Sequence, residues 1–220
     1  MRKTGPENKK ARSKSDANFL FKTFFMIISD SHKFIFHHLP KTAGSSITMA
    51  LAPYCNRWEG ALPEQTHGWQ VKLHRVGMHT MLRELEDMPS YFSFAFVRNP
   101  FDVVASAWDP QKYKNFDEFV ENRILTGIEI CGRQSQYEHL SSNDGTLLVD
   151  FIGRYENLVK DFYKVVNALE MPLMRLPTIN IGKKGKNEDY RKCYSSSSRE
   201  VVEKIFEKDL KNFGYGFENE

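Results

Sequence analysis

Cysteine is scarce in this sequence. The three cysteines, Cys55, Cys131 and Cys193, are odd in number, far apart and not arranged in CxxC pairs. This pattern argues against a disulfide framework and against a cysteine-based zinc site. Idle, reduced thiols are the simpler interpretation, and they favour a cytoplasmic protein.

The sequence also lacks a long apolar run. A membrane-spanning helix needs about 20 consecutive apolar residues. The best segment, residues 19–28, is shorter and is interrupted by Lys22. Because basic residues precede it, this segment could be the core of a signal peptide, but no small-residue cleavage site follows. We therefore expect no transmembrane segment and a cytoplasmic location, with secretion as the alternative.

The excess of positive charge is small. The 220 residues include 31 Lys and Arg against 28 Asp and Glu, which gives a formal net charge of +3. This excess does not by itself indicate nucleic acid as a partner, although it suits an anionic ligand if the cations converge on one site. The length and the 40% hydrophobic content fit one globular domain. We expect this domain to span residues 26–220, after a basic, disordered tail at residues 1–25.

Strand and helix patterns alternate along the chain. The predicted strands are residues 33–39, 91–97 and 147–152. Helices are predicted to begin near residues 44, 79, 100, 116, 157 and 195, and the last of these to run to about residue 213. Residues 55–75 show no clear period and are predicted to be loops. The alternation predicts an α/β fold with a mainly parallel central sheet and helices on both faces.

A loop of small and hydroxyl-bearing residues joins the first of these strands to its helix. Residues 40–46 read Pro-Lys-Thr-Ala-Gly-Ser-Ser. The start of a helix presents backbone N–H groups and the positive end of the macrodipole. Ala43 and Gly44 let an anion approach the backbone, Lys41 adds a charge, and three hydroxyl groups add donors: Thr42, Ser45 and Ser46. These features predict an oxyanion cradle, with an ordinary capped turn as the alternative. It is not a Walker A loop, because the lysine precedes the glycine.

A second candidate element follows the strand at residues 91–97. Arg98 lies where that strand ends, and ligands of open α/β sheets bind beyond the carboxyl ends of the strands. Asn99 and Pro100 are suited to the N-cap and first position of a helix. Ser106 lies on that helix, four residues after Asp102. Arginine and serine can together hold a phosphate, and the alternative is an arginine that only pairs with a carboxylate.

Three motifs taken together resemble the carbohydrate-type sulfotransferases, which include the heparan and chondroitin enzymes. The motifs are Phe-His-His-Leu-Pro-Lys-Thr-Ala-Gly-Ser-Ser (residues 36–46), Phe-Ala-Phe-Val-Arg-Asn-Pro-Phe-Asp (94–102) and Gly-Arg-Tyr-Glu-Asn-Leu (153–158). The likeness extends to Gln-Ser-Gln-Tyr (134–137) and Phe-Gly-Tyr-Gly-Phe (213–217). It therefore covers most of the predicted domain.

The resemblance implies a P-loop-like three-layer fold and 3′-phosphoadenosine 5′-phosphosulfate (PAPS) as donor, with no metal. It implies that residues 41–46 hold the 5′-phosphosulfate, and that Arg98 and Ser106 hold the 3′-phosphate. A later basic loop contacts the nucleotide in such families, which points by position to Lys184 and Lys186, although a solvated charged loop explains them equally well. The acceptor is a hydroxyl group, with a saccharide as the family-based expectation. A P-loop-type kinase and an inactive nucleotide-binding or scaffold protein are the alternatives.

Histidine is the expected general base, because its pKa lies near neutrality. The resemblance favours His79, which begins a predicted helix before the Arg-Asn-Pro strand. His74 is the alternative, either as the base or as a residue that orients the acceptor. His37 and His38 are interpreted as structural. Lys41 is expected to neutralise charge on the leaving phosphate, and Arg154 and Glu156 to form a structural ion pair.

Overall fold

In the part of the chain that the structure describes, six strands form one sheet. The computed structural model describes residues 25–59, 74–75, 91–124, 135–141, 144–179 and 189–218. The strands are β1 (Phe25–Ser29), β2 (Phe34–His38), β3 (Arg57–Glu59), β4 (His74–Arg75), β5 (Phe92–Val97) and β6 (Phe151–Arg154). Their order across the sheet is β4-β3-β1-β2-β5-β6.

The sheet is mainly parallel, as predicted. β2 pairs with β5 and β5 pairs with β6 in parallel, with Phe36 opposite Phe94 and Phe96 opposite Gly153. β3 and β4 are also parallel to each other. β1 runs antiparallel to both of its neighbours, β2 and β3. Five strands therefore share one direction, and their carboxyl ends lie at one edge.

Helices follow the strands. They are α1 (Gly44–Leu51), α2 (Pro100–Ala107), α3 (Phe116–Phe119), α4 (Gln136–Leu140), α5 (Leu158–Ala168), α6 (Ser196–Ile205) and α7 (Glu207–Phe213). A π-helical turn, Val120–Ile124, extends α3. Short 3₁₀ turns occupy Ala52–Tyr54, Tyr155–Asn157 and Tyr190–Cys193.

Both faces of the sheet are covered. Successive side chains of a strand point to opposite faces. Phe94 and Phe96 pack in a core with residues of α1 and α5, whereas Ala95 and Val97 pack with residues of α4 and α7. The predicted three-layer α/β fold with helices on both faces is thus confirmed. A third core, between α2, α3 and α6, fixes α2 through the fully buried Phe101.

The structure corrects several predicted elements. β1 occupies part of the apolar segment that was compared with a signal-peptide core. β3 and β4 lie within the range predicted to be loops. The strand predicted at residues 147–152 instead begins at Phe151. One reason is that the Asp150 carboxylate accepts the Ser93 N–H at 2.7 Å, so a side chain replaces a ladder bond there.

The last predicted helix is divided into two. A capping box between Ser195 and Ser198 starts α6, as the serine run suggests. The chain leaves the helical conformation at Phe206, whose side chain is buried in the helical core, and resumes as α7. The predicted helix at residues 79–87 and residues 1–24 of the predicted tail lie outside the described residues.

Candidate active site

The loop at residues 40–46, here called the cradle, is shaped by its own backbone. Lys41 and Ala43 both have a φ of 65°, in the left-handed region that non-glycine residues rarely occupy. Each such residue costs on the order of 1–3 kcal/mol and persists only where its surroundings impose it. The buried Thr42 donates its hydroxyl proton to the Leu39 carbonyl at 2.9 Å, which holds the bend. Thr42 thus stabilises the loop from its buried side.

Helix α1 begins directly after this bend. Its N-cap is Ala43, and no described side chain caps it, so the serine pair does not have the capping role that the sequence suggests. The first turn carries no acidic residue. A helix start with this composition keeps its positive end available for an anion. Ser46 accepts the Ile179 N–H at 3.2 Å, and this bond leaves its own proton for a ligand.

His38 lies directly beneath Gly44. A β-carbon at Gly44 would fall 1.8 Å from His38 Cδ2 and 2.0 Å from Nε2, so only glycine fits without movement. The imidazole also stacks on Phe36, with ring centroids 6.0 Å apart. Burial lowers the pKa of His38 to about 4, and that of His37 likewise, so both rings are neutral near pH 7. The contacts agree with a structural role for the pair.

The second element meets the cradle through Arg98. Its Nε donates to Asp102 Oδ2 at 2.8 Å, its Nη2 forms an ion pair with the same oxygen at 2.7 Å, and its Nη1 donates to the Lys41 carbonyl at 3.0 Å. The guanidinium carbon lies 3.9 Å from the centroid of the Tyr155 ring. The two motifs are separated by more than fifty residues in the sequence, and they form one site in the fold.

The cations of this site are only partly balanced. Arginine has five N–H donors, and two hydrogen bonds and one ion-pair contact within the described residues engage three of those of Arg98, which leaves two for a ligand. Desolvation and, secondly, the charge of Arg98 lower the pKa of Lys41. Two neighbouring cations with one carboxylate, Asp102, favour an added anion. Arg98 can therefore pair with Asp102 and still have donors for an anion, so the two interpretations of this arginine are compatible.

Ser106 lies one helical turn beyond Asp102 and is half-buried. Its hydroxyl donates to the Val103 carbonyl at 2.7 Å, within helix α2. A phosphate held by Ser106 would therefore have to take over this hydroxyl proton. The position is consistent with the predicted role, because Arg98, Asp102 and Ser106 follow one side of the strand–helix junction.

The sequence did not identify the residues that hold this junction. The Gln136 side chain accepts the Arg98 N–H at 3.0 Å and donates to the Arg98 carbonyl at 2.8 Å. Glu156 accepts the Asn99 N–H at 2.8 Å. Gln136 belongs to the Gln-Ser-Gln-Tyr motif, which could have directed attention to it.

The predicted Arg154–Glu156 ion pair is wrong for the described part of the chain. Arg154 instead donates to the Phe213 carbonyl and lies over the ring of Tyr215. Glu156 accepts the Tyr215 hydroxyl at 2.9 Å. Tyr215 thus separates the two charges, and Glu156 serves the junction.

Four predicted residues are less fully placed. His79, Lys184 and Lys186 lie outside the described residues. His74 begins β4, where its backbone pairs with that of Arg57. Three strand spacings of about 4.8 Å separate β4 from β2, so the His74 backbone lies roughly 14 Å across the sheet from the strand that leads into the cradle.

A groove of about 640 Å³ borders the outer side of α1. Of the predicted residues that the structure describes, none lines it. Its lining residues are Met49, Ala50, Arg175, Pro177 and Thr178. The chain continues from this groove to Ile179, whose N–H bonds to Ser46. Ile179, the residue before the segment 180–188, therefore lies beside the cradle.

A mainly parallel sheet with helices on both faces, and with the cradle loop at its carboxyl edge, defines a P-loop-like α/β protein. The chain belongs to the sulfotransferase family, which matches residues 25–216. An uncharacterized protein from Archaeoglobus fulgidus is 33% identical over 111 residues, which cover 47% of this chain and 82% of the relative. No solved structure matches.

Family membership assigns the chain to sulfuryl transfer as a general reaction and confirms the predicted membership of the sulfotransferases. Within the described ranges, no helix is long and apolar enough to cross a membrane. The same residues contain no group of three or more His, Cys, Asp or Glu side chains that could hold a metal ion.

Proposed function

We propose that this protein transfers the sulfuryl group of PAPS to a hydroxyl acceptor, with a carbohydrate hydroxyl as the favoured acceptor class. One observation carries the proposal: Arg98 Nη1 lies 3.0 Å from the Lys41 carbonyl. This contact makes one site of two anion-binding elements. PAPS carries two separate anionic groups, the 5′-phosphosulfate and the 3′-phosphate, and so it matches a site with two such elements.

The geometry and the resemblance support the following roles. The cradle backbone, with Lys41, Ser45 and Ser46, holds the 5′-phosphosulfate. Arg98 and Ser106 hold the 3′-phosphate, since Arg98 retains two N–H donors. Lys184 and Lys186 follow Ile179, which bonds to Ser46, and we propose that they contact the nucleotide.

The reaction is an in-line displacement. A base removes the acceptor proton, the acceptor oxygen attacks sulfur, and the bond from sulfur to the phosphate oxygen breaks. The products are a sulfate ester and adenosine 3′,5′-bisphosphate. Lys41 stabilises the charge that develops on the leaving phosphate. Such electrostatic stabilisation is usually the largest single contribution to an enzyme's rate enhancement. Positioning of the two reactants supplies much of the remainder.

We propose His79 as the base. The chain leaves β4 at the same edge of the sheet at which β2 leads into the cradle, because β4, β3 and β2 run in one direction. His79 follows this exit by a few residues. The His74 backbone lies at the level of Ile35 in the sheet, well before the edge, which makes it the weaker candidate.

The donor is tested by calorimetry with the intact chain. Adenosine 3′,5′-bisphosphate should bind at least about tenfold more tightly than adenosine 5′-monophosphate, since a charge-assisted contact contributes about 1.5–3 kcal/mol. Equal affinities would contradict the assignment of Arg98 and Ser106. Labelled PAPS with a panel of saccharides, alcohols and phenols, analysed by mass spectrometry, then identifies the acceptor class. Tight nucleotide binding without transfer to any acceptor would indicate an inactive nucleotide-binding protein.

The base is tested with His79→Ala and His74→Ala. The first variant should lose turnover by about 10²–10⁴-fold, as expected for a lost acid–base group, and keep its affinity for the product nucleotide. The second variant should retain most of its turnover. The reverse result would show that His74 is the base.

A further inference from the structure

We propose that Gln136 is a positioning residue that fixes Arg98 for the 3′-phosphate, and that it thereby sets the preference for 3′-phosphorylated nucleotides. The inference rests on the proposed function and adds a residue, Gln136, to which that function assigns no role. It follows from a buried series of hydrogen bonds that runs from α7 through α4 to Arg98.

The first link is the double bond between the Gln136 amide and the backbone of Arg98. Oε1 accepts the Arg98 N–H at 3.0 Å and Nε2 donates to the Arg98 carbonyl at 2.8 Å. Pairing of β5 with β6 ends one residue earlier, at Val97 and Arg154. The Gln136 amide therefore replaces a neighbouring strand for one residue. Gln136 is 2% exposed, so water does not readily substitute for it.

The second link fixes the amide itself. Asp209 in α7 is fully buried and accepts the backbone N–H groups of Gln136 and Tyr137 at 2.9 and 2.7 Å. The same carboxylate lies 3.4 Å from Gln136 Nε2. Because both partners of Nε2 are acceptors, the amide has one orientation that satisfies every bond. Asp209 therefore determines how Gln136 faces Arg98.

The third link is the guanidinium of Arg98. Once the backbone is fixed, the side chain lies between the Tyr155 ring and Asp102, with Nη1 on the Lys41 carbonyl. Preorganisation of this kind reduces the cost of ordering on binding. Removal of the Gln136 amide would leave the charge of Arg98 in place and release its position. Displacement of about 1 Å is enough to weaken such a contact strongly.

The experiment compares two dissociation constants in each variant, for adenosine 3′,5′-bisphosphate and for adenosine 5′-monophosphate. Gln136→Met keeps the length and volume of the side chain and removes both bonds. We expect its preference for the 3′-phosphate to fall at least about tenfold, towards that of Arg98→Ala. Its affinity for the monophosphate should change less than about threefold, because the cradle is held by its own backbone. Gln111→Met, at an exposed glutamine, is the matched control and should retain the wild-type preference.

The outcomes separate the two claims. If the wild-type protein shows no preference for the 3′-phosphate, the proposed function fails at its donor. If the wild type has the preference and Arg98→Ala loses it, but Gln136→Met keeps it, the positioning role is overturned and the donor assignment stands. An equal loss for both nucleotides in Gln136→Met would also overturn it, since this is a general structural effect. If Gln136→Met does not fold, Gln136→Asn, which keeps a neutral amide but is one methylene too short to make both bonds to the Arg98 backbone, is measured by the same criteria.

Discussion

The cradle and the Arg98 junction lie against each other, yet they are held in different ways. In the cradle, Thr42 bonds to Leu39, three residues away, and the first turn of α1 closes on Ala43. At the junction, the partners of Arg98 and Asn99 lie 38, 57 and 117 residues away in the chain. A site can thus combine one element whose bend is closed by local bonds with one whose position depends on the whole fold.

This difference decides how each element should fail. A change in the cradle acts on a strained backbone that few other residues support, so single substitutions should have large and specific effects. The junction has several independent supports, among them Gln136, Glu156 and the Asn99 cap. Loss of one support should therefore weaken binding or stability by a moderate amount.

The largest expected effect belongs to Lys41→Ala in the cradle. Loss of a preorganised charge at the leaving group should reduce turnover by about 10²–10³-fold. Affinity for adenosine 3′,5′-bisphosphate should fall much less, because the backbone N–H groups and Arg98 remain. The measurement is the initial rate of transfer from labelled PAPS together with calorimetry of the product nucleotide.

Lys33→Ala is the control for this prediction. Lys33 is exposed between β1 and β2 and contacts Tyr91, away from the cradle. Its substitution should leave turnover unchanged. Near-normal turnover in Lys41→Ala would show that the cradle lysine does not act on the leaving group.

The comparison also explains which parts of the site could be predicted from the sequence. The cradle, the Asn99 cap and Pro100 are signalled by neighbouring residues, and each lies where it was expected. Strands β2 and β5 were predicted to within a residue at each end, because buried parallel strands read as continuous apolar runs. Local signals were sufficient wherever the supporting contacts are local.

The missed features all depend on distant partners. Gln136 lies outside the predicted helices and Asp209 reads as an ordinary polar residue of the last one, and only the fold brings them to Arg98. β1 reads as an apolar run without a defined role until it pairs with β2 and β3. Leu147 and Leu148 have the apolar pattern of a strand and are exposed, at 43% and 60%. No periodicity in the sequence carries this information.

The second prediction concerns pH and the histidines at the end of β2. Burial lowers the pKa of His37 and His38 from 6.5 to about 4 in the folded protein. Between these values the unfolded chain binds more protons, so the free energy of unfolding decreases as the pH falls from about 6.5 towards 4. Between pH 7.5 and pH 5 the loss should be about 2 kcal/mol for each histidine.

Urea unfolding across this pH range provides the measurement. His37→Gln should reduce the pH dependence by about half of the histidine contribution, while His38 continues to supply its share. A variant with the same slope as the wild type would show that His37 does not contribute.

The third prediction tests the close approach in the cradle. Gly44→Ala would place a β-carbon 1.8 Å from the ring of His38, and the required shift should cost about 1–3 kcal/mol of stability. The double variant Gly44→Ala with His38→Ala removes the obstacle. Its loss of stability should be smaller than the sum of the two single losses, with a coupling of about 0.5–3 kcal/mol measured by urea unfolding. Strict additivity would contradict the contact.

The smallest expected effect distinguishes two asparagines that each precede a helix, Asn99 before α2 and Asn157 before α5. Asn99 accepts the Phe101 N–H at the start of α2 and donates to the Gly216 carbonyl at 2.9 Å, whereas no cap bond from the Asn157 side chain is found among the described residues. Asn99→Ala should therefore cost about 1–2 kcal/mol of stability, as expected for a lost cap. Asn157→Ala should stay within about 0.5 kcal/mol of the wild type, because it removes no such bond. Both variants are compared by their urea midpoints at pH 7.5, where the histidines do not contribute. Equal losses would contradict the difference between the two asparagines, since only Asn99 makes these bonds.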